Sequence, residues 1–154
     1  MSAPTSGSAS RLALPVREVM NPSLVDCPPQ TPMHEVALLM AERDIHCVVV
    51  DGLARGEHAT EQLVWGIVSD LDLAGAAAAD RLAEEAGGFA VTEPVTVGLD
   101  EDLQCAAKLM SEHDCTHLIV TDEAAGRPAG VVSSLDLARA LAWGVRPATR
   151  RPVR

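Results

Sequence analysis

A chain of 154 residues can build one core of ordinary size, or two small ones that depend on each other. Nearly half of it is hydrophobic, yet its only aromatics are Trp65, Phe89 and Trp143, so any core must be made of Val, Leu, Ile, Ala and Met. The net charge of −10 is unevenly spread: residues 12–145 hold 22 acids against 7 bases, which excludes the basic stripe that nucleic-acid binding needs.

Residues 1–13, rich in Ser, Ala and Gly, read as a disordered N-terminal tail without the pattern of a secretory signal. No apolar run approaches the length that crosses a bilayer, so a cytoplasmic protein with no membrane partner is expected. A short extended piece, Leu24–Cys27, leads through a Pro-containing turn into an amphipathic helix with Met33, Val36, Ala37, Met40 and Ala41 at helical spacing. A buried β-run follows at Cys47–Val50, then a polar loop and a second run at Val64–Val68. Ser69-x-x-Asp72 opens the next helix, Leu71–Ala79. The stretch ADRLAEEAGGFA ends its helical part at Gly87-Gly88, which marks a boundary.

The order β-α-β-β-α then starts again. Val95–Val97 is extended, Leu103, Ala106, Ala107 and Met110 recur at helical spacing, and β-runs follow at His117–Val120 and Ala129–Val132. Ser133-x-x-Asp136 opens the helix Leu135–Trp143, and four arginines crowd the tail 145–154. The second half copies the first. Val25–Asp51 aligns with Val95–Thr121 at an offset of 70, and GIVSDLDLA (Gly66–Ala74) returns as GVVSSLDLA (Gly130–Ala138) at an offset of 64. Six extra residues of the first copy, within Asp51–Val64, account for the change of offset. One such unit would leave a sheet face uncovered, and two copies packed sheet against sheet would cover both.

This duplication, with G-h-h-S-x-x-D at each second strand-to-helix junction, resembles a stand-alone pair of CBS domains, a Bateman module. The opening VREVMNP, Val16–Pro22, is similar to the lead-in of a first module, whereas its counterpart GGFAVTEP departs from that pattern. The resemblance implies an α/β fold of two β-α-β-β-α modules packed sheet to sheet with pseudo-two-fold symmetry, the first over 14–80, a linker over 81–88 and the second over 89–144. It implies a regulatory protein, not an enzyme, with no required cofactor. An adenosine-type ligand (AMP, ADP, ATP or S-adenosylmethionine) is expected in the cleft between modules, with a homodimer and an unknown regulated protein as partners. Asp72 and Asp136 match the acid that holds the ribose hydroxyls, and Ser69 and Ser133 the hydroxyl that contacts ribose or phosphate. Val25 and Val95 match positions flanking the adenine. His46 and Thr116, with Cys47 and His117, match the start of the next strand, where phosphates are met.

Two other readings stand beside this one. Ser-x-x-Asp before a helix is also a capping box, which would need no ligand, and the chain would then be an interaction or dimerisation module. Alternatively His113, Cys115 and His117, with Cys47, could make a zinc- or redox-responsive protein, although no zinc spacing is present and Cys27, Cys47, Cys105 and Cys115 read most simply as small buried residues. No catalytic constellation is present. With one lysine and histidines where a triphosphate site wants Arg, AMP or S-adenosylmethionine is favoured over ATP.

Overall fold

The computed structural model describes residues 11–55 and 62–145. Its strands and helices run β1 (Asp26–Cys27), α1 (Met33–Arg43), β2 (Cys47–Arg55), β3 (Gln62–Ser69) and α2 (Asp70–Ala78), then β4 (Thr96–Gly98), α3 (Leu103–His113), β5 (His117–Asp122), β6 (Arg127–Ser133) and α4 (Ser134–Trp143). The twofold β-α-β-β-α order is therefore present. Each half makes its own three-stranded sheet, in which the first strand pairs parallel with the second and the second antiparallel with the third. Register repeats as well: Val48 faces Val68 and Val50 faces Gly66, as Leu118 faces Val132 and Val120 faces Gly130.

The helices repeat for a physical reason. Met33, Val36 and Met40 bury one face of α1, and Leu103, Ala106 and Met110, each seventy residues later, bury the same face of α3. Both helices stop at an aspartate in the left-handed region, Asp44 (φ 53°) and Asp114 (φ 50°), whose N–H closes on the carbonyl of Met40 or Met110. Asp tolerates that conformation better than most residues and here does the work usually given to Gly. Two separate cores result. Val48, Val50 and Val68 join the α1 face in one; Leu118, Val120 and Val132 join the α3 face in the other. Val49, Ile67 and Ile119 belong to neither core and are buried all the same, which is why the central strands read as unbroken apolar runs.

The chain does not divide into compact units where the repeat divides. Among the described residues, those between Ser23 and Pro94 form one unit, and those up to Pro22 join those from Val95 onward in the other. The lead-in resembling that of a first module thus packs with the second copy. Val16 is fully buried in the core of α3, β5 and β6, its N–H donates to Glu101 O (2.8 Å), and Asn21 exchanges two backbone bonds with Val131. The counterpart segment serves the first copy in the same way seventy residues later. Ala86 is fully buried, Val91 exchanges two bonds with Ile67, and three-residue 3-10 turns sit at Val16–Glu18 and Ala86–Gly88. The geometry is conserved between copies although VREVMNP and GGFAVTEP share little sequence.

Two expectations change as a result. The expected helical part up to Gly87-Gly88 is absent: α2 ends at Ala78, and Asp80 turns the chain with φ 56°. Its carbonyls are needed elsewhere. Glu84 O and Leu82 O accept from the N–H groups of Met33 and His34, capping α1, whose own N-cap Pro32 has no side-chain acceptor to offer. Structure also starts before residue 14, since Arg11 Nη1 donates to Leu141 O (2.6 Å) and Leu12 packs on the core. Residues 1–10, the arginines of the tail and part of the six-residue insertion lie outside the described residues.

Candidate functional site

Both copies of G-h-h-S-x-x-D carry a complete capping box. Ser69 Oγ accepts from the Asp72 N–H (3.3 Å), and Asp72 Oδ2 accepts from both the N–H and the hydroxyl of Ser69 (2.8 and 2.9 Å). Ser133 and Asp136 repeat this at 3.1, 2.8 and 2.9 Å. The glycine of the phrase has its own reason. A Cβ on Gly130 would lie 2.6 Å from Asn21 O, and one on Gly66 would lie 3.1 Å from Val91 O. Gly is needed because the lead-in backbone passes directly over the strand.

The boxes use the aspartates only in part. Each carboxylate oxygen has two lone pairs, and Oδ2 has spent both on the serine. Oδ1 of Asp72 has no partner among the described residues, and Oδ1 of Asp136 lies 3.9 Å from Arg139 Nη1. Each acid therefore caps its helix with one oxygen and keeps the other as an acceptor. The serine hydroxyls, whose single O–H donates to the acid, can accept from a ligand but not donate to a phosphate. Two of the first three helix N–H groups are also taken, Asp70's by His46 O (2.8 Å) and Asp72's by Ser69, so the helix start has less to offer an anion than an uncapped one.

The remaining sequence-derived candidates gather around each box. Cys47 pairs with Ser69 across the ladder and His117 with Ser133. His46 Nδ1 meets Asp70 Oδ2 (2.9 Å), and Thr116 Oγ1 meets His117 Nδ1 (2.9 Å), while Thr116 O accepts from the Ser134 N–H. Val25 and Val95 each accept through their carbonyl from the second strand, at Val49 and Ile119, further from the box. Cys47 is buried, and burial, helped by the charge of Asp70, pushes its thiol up to about 11. A thiol held protonated is a poor nucleophile and a poor metal ligand at neutral pH. Among the described residues no three His, Cys, Asp or Glu side chains are placed to hold a metal ion. Asp70, Arg139 and Trp143 were not anticipated; the last two stand three and seven residues beyond Asp136, a spacing that places them on its helix face.

The CBS domain profile matches residues 16–79 and again residues 86–142. The chain belongs to the CBS domain family. Solved structures agree on the fold of a CBS pair. A conserved protein of Pyrococcus horikoshii superimposes with a TM-score of 0.70 at 20% identity, covering 91% of this chain and 98% of its own. A CBS domain pair in complex with 5′-methylthioadenosine and S-adenosyl-L-methionine gives 0.68 at 22% identity, covering 84% and 97%. A CBS domain protein of Pyrobaculum aerophilum complexed with AMP gives 0.67 at 25% identity, covering 86% and 98%. Among curated protein sequences none matches. No described helix of this CBS pair is long and apolar enough to cross a membrane.

Proposed function

We infer that this CBS pair is a regulatory protein that binds an adenosine-type ligand, AMP, S-adenosylmethionine or a related nucleotide, at one or both Ser-x-x-Asp boxes. One observation carries the reading: in both copies the aspartate caps with Oδ2 alone and keeps Oδ1, whose two lone pairs suit the two hydroxyls of a ribose cis-diol. The AMP complex of the 25%-identical Pyrobaculum protein supports the same ligand class. In this reading Asp72 and Asp136 hold ribose, Ser69 and Ser133 accept from it, and His46, Cys47, Thr116 and His117 stand at the strand starts beside them. Val25 and Val95 border the base.

Capped helix starts and a strongly acidic surface disfavour polyphosphates, which places AMP or S-adenosylmethionine ahead of ATP. Ligand binding would shift the population between states of the pair and alter the surface offered to a regulated protein, with a homodimer as the working assembly. Titration calorimetry of ligand-stripped protein with AMP and S-adenosylmethionine tests this. Saturable binding abolished by D72A or D136A is expected, while binding untouched by both changes would remove the boxes from the site.

A further inference from the structure

The two boxes share a backbone frame but not the chemistry beside it. Asp70, the first residue of α2, donates its N–H to His46 O, and Ser134, the first residue of α4, donates its N–H to Thr116 O, both at 2.8 Å. The repeat thus puts His46 and Asp70 where the second copy has Thr116 and Ser134. In the first copy the two side chains close on each other, His46 Nδ1 to Asp70 Oδ2 at 2.9 Å. A carboxylate only accepts, so the Nδ1 proton is committed to it, and in either protonation state of the ring the pair adds no net positive charge. In the second copy the same places hold hydroxyls. Thr116 Oγ1 meets His117 Nδ1, and the exposed Ser134 hydroxyl has no partner among the described residues.

The difference matters because the box serines spend their single O–H on the acid and cannot donate to a phosphate. An anionic group must find its donors beside the box, and a ribose held at Asp72 or Asp136 carries its 5′ substituent only a few bonds away. Beside the second box that substituent would meet the O–H of Ser134 next to the Leu135 N–H. Beside the first, the Leu71 N–H follows the Asp70 carboxylate, 54% exposed, which repels an anion and has no proton to offer it. The other described charges of the second box oppose each other, since Glu18 and Arg139 both line a cavity of about 260 Å³ beside Asp136. We propose that Asp70 and Ser134 are specificity-determining residues: the second box favours a nucleoside with a 5′-phosphate, and the first a nucleoside with no anionic group at that position. The inference rests on the adenosine reading above and narrows it.

The test titrates ligand-stripped, isotope-labelled full-length protein with adenosine, AMP and S-adenosylmethionine, following the amides of Ser69–Asp72 and Ser133–Asp136 so that each box is read separately. Wild type, D70S and S134D are compared. Each substitution brings in the residue that the other copy already holds at that place, and circular dichroism checks the fold. The affinity for AMP relative to adenosine should be roughly tenfold higher at the second box than at the first. D70S should raise that ratio at the first box by roughly tenfold, and S134D should lower it at the second by a similar factor. Equal ratios at the two boxes, substitutions that move adenosine as far as AMP, adenosine confined to one box, or binding of S-adenosylmethionine alone would overturn this inference and leave the adenosine reading standing. Silence of all three compounds at both boxes would remove the adenosine reading, and this inference with it.

Discussion

Replacing Val16 by alanine separates the observed packing from the one that chain order suggests. Val16 lies seven residues before Ser23 and the first copy, yet its side chain is wholly buried among Val97, Leu103, Leu118 and Val132 of the second. The substitution removes two methyl groups, worth about 0.8 kcal/mol each on transfer, and leaves a cavity that adds to the loss, for a total of roughly 2 kcal/mol. That corresponds to roughly 30-fold faster exchange of amides whose protection depends on opening of that unit. Hydrogen exchange read by mass spectrometry would resolve it by segment. Peptides over Leu103–His113, His117–Asp122 and Ser134–Trp143 should lose protection, with little change over Met33–Arg43 and Cys47–Val50. Acceleration confined to Met33–Arg43 and Cys47–Val50 would refute the exchanged lead-in.

Three further outcomes follow from the same contacts. Gly130→Ala drives a Cβ to 2.6 Å from a backbone oxygen that cannot swing away, so it should cost roughly 1–3 kcal/mol in denaturant unfolding; a neutral result would mean that the lead-in does not lie over β6. Asp72→Ala should cost about 1 kcal/mol without ligand, and Asp72→Asn less, because the amide oxygen still accepts from the Ser69 N–H; equal melting of the wild type and both variants would show that the box contributes nothing. Cys47 holds its proton in the fold to about 11, against an ordinary 9.0 when unfolded. Its contribution is intact below pH 9 and lost as pH rises toward 11, so unfolding midpoints should fall across that window by the equivalent of about 2–3 kcal/mol at most, a fall reduced in Cys47→Ala. A thiol that reacts with iodoacetamide at pH 7 as fast in folded as in urea-denatured protein would contradict its burial.

Much of this was legible before any coordinates. The spacing of Met33, Val36 and Met40, repeated seventy residues later, is a direct imprint of a helix face on a core, and the VVV and LIV runs are the imprint of strands buried on both sides. The Ser-x-x-Asp phrase was readable as a cap from residue types alone. What it could not disclose was which oxygen of the acid does the capping, because that depends on a rotamer. The exchanged lead-ins were hidden for another reason. Val16 and Ala86 occupy equivalent buried positions but differ in size, and most of the contact is made by backbone, at Asn21 with Val131 and Val91 with Ile67, which leaves little trace in side-chain identity. The linker misread as partly helical shows the same effect, since ADRLAEEAG has good helix formers whose carbonyls are claimed by α1. Glu18 lines a cavity with Asp136, Arg139 and Trp143 only through that exchange, so no local pattern could reveal it.

The central claim is that an adenosine-type ligand is held by the second oxygen of the capping aspartates. Amide chemical-shift mapping tests it most directly in a chain of 154 residues, by titrating ligand-stripped, isotope-labelled protein with AMP and with S-adenosylmethionine. The account predicts saturable shifts at the N–H groups of Ser133–Asp136, Ser69–Asp72 or both, which are lost in the corresponding Asp→Asn variant. Saturable shifts that leave both boxes untouched, or spectra unchanged by either compound, would contradict it and return the phrase to the role of a helix cap.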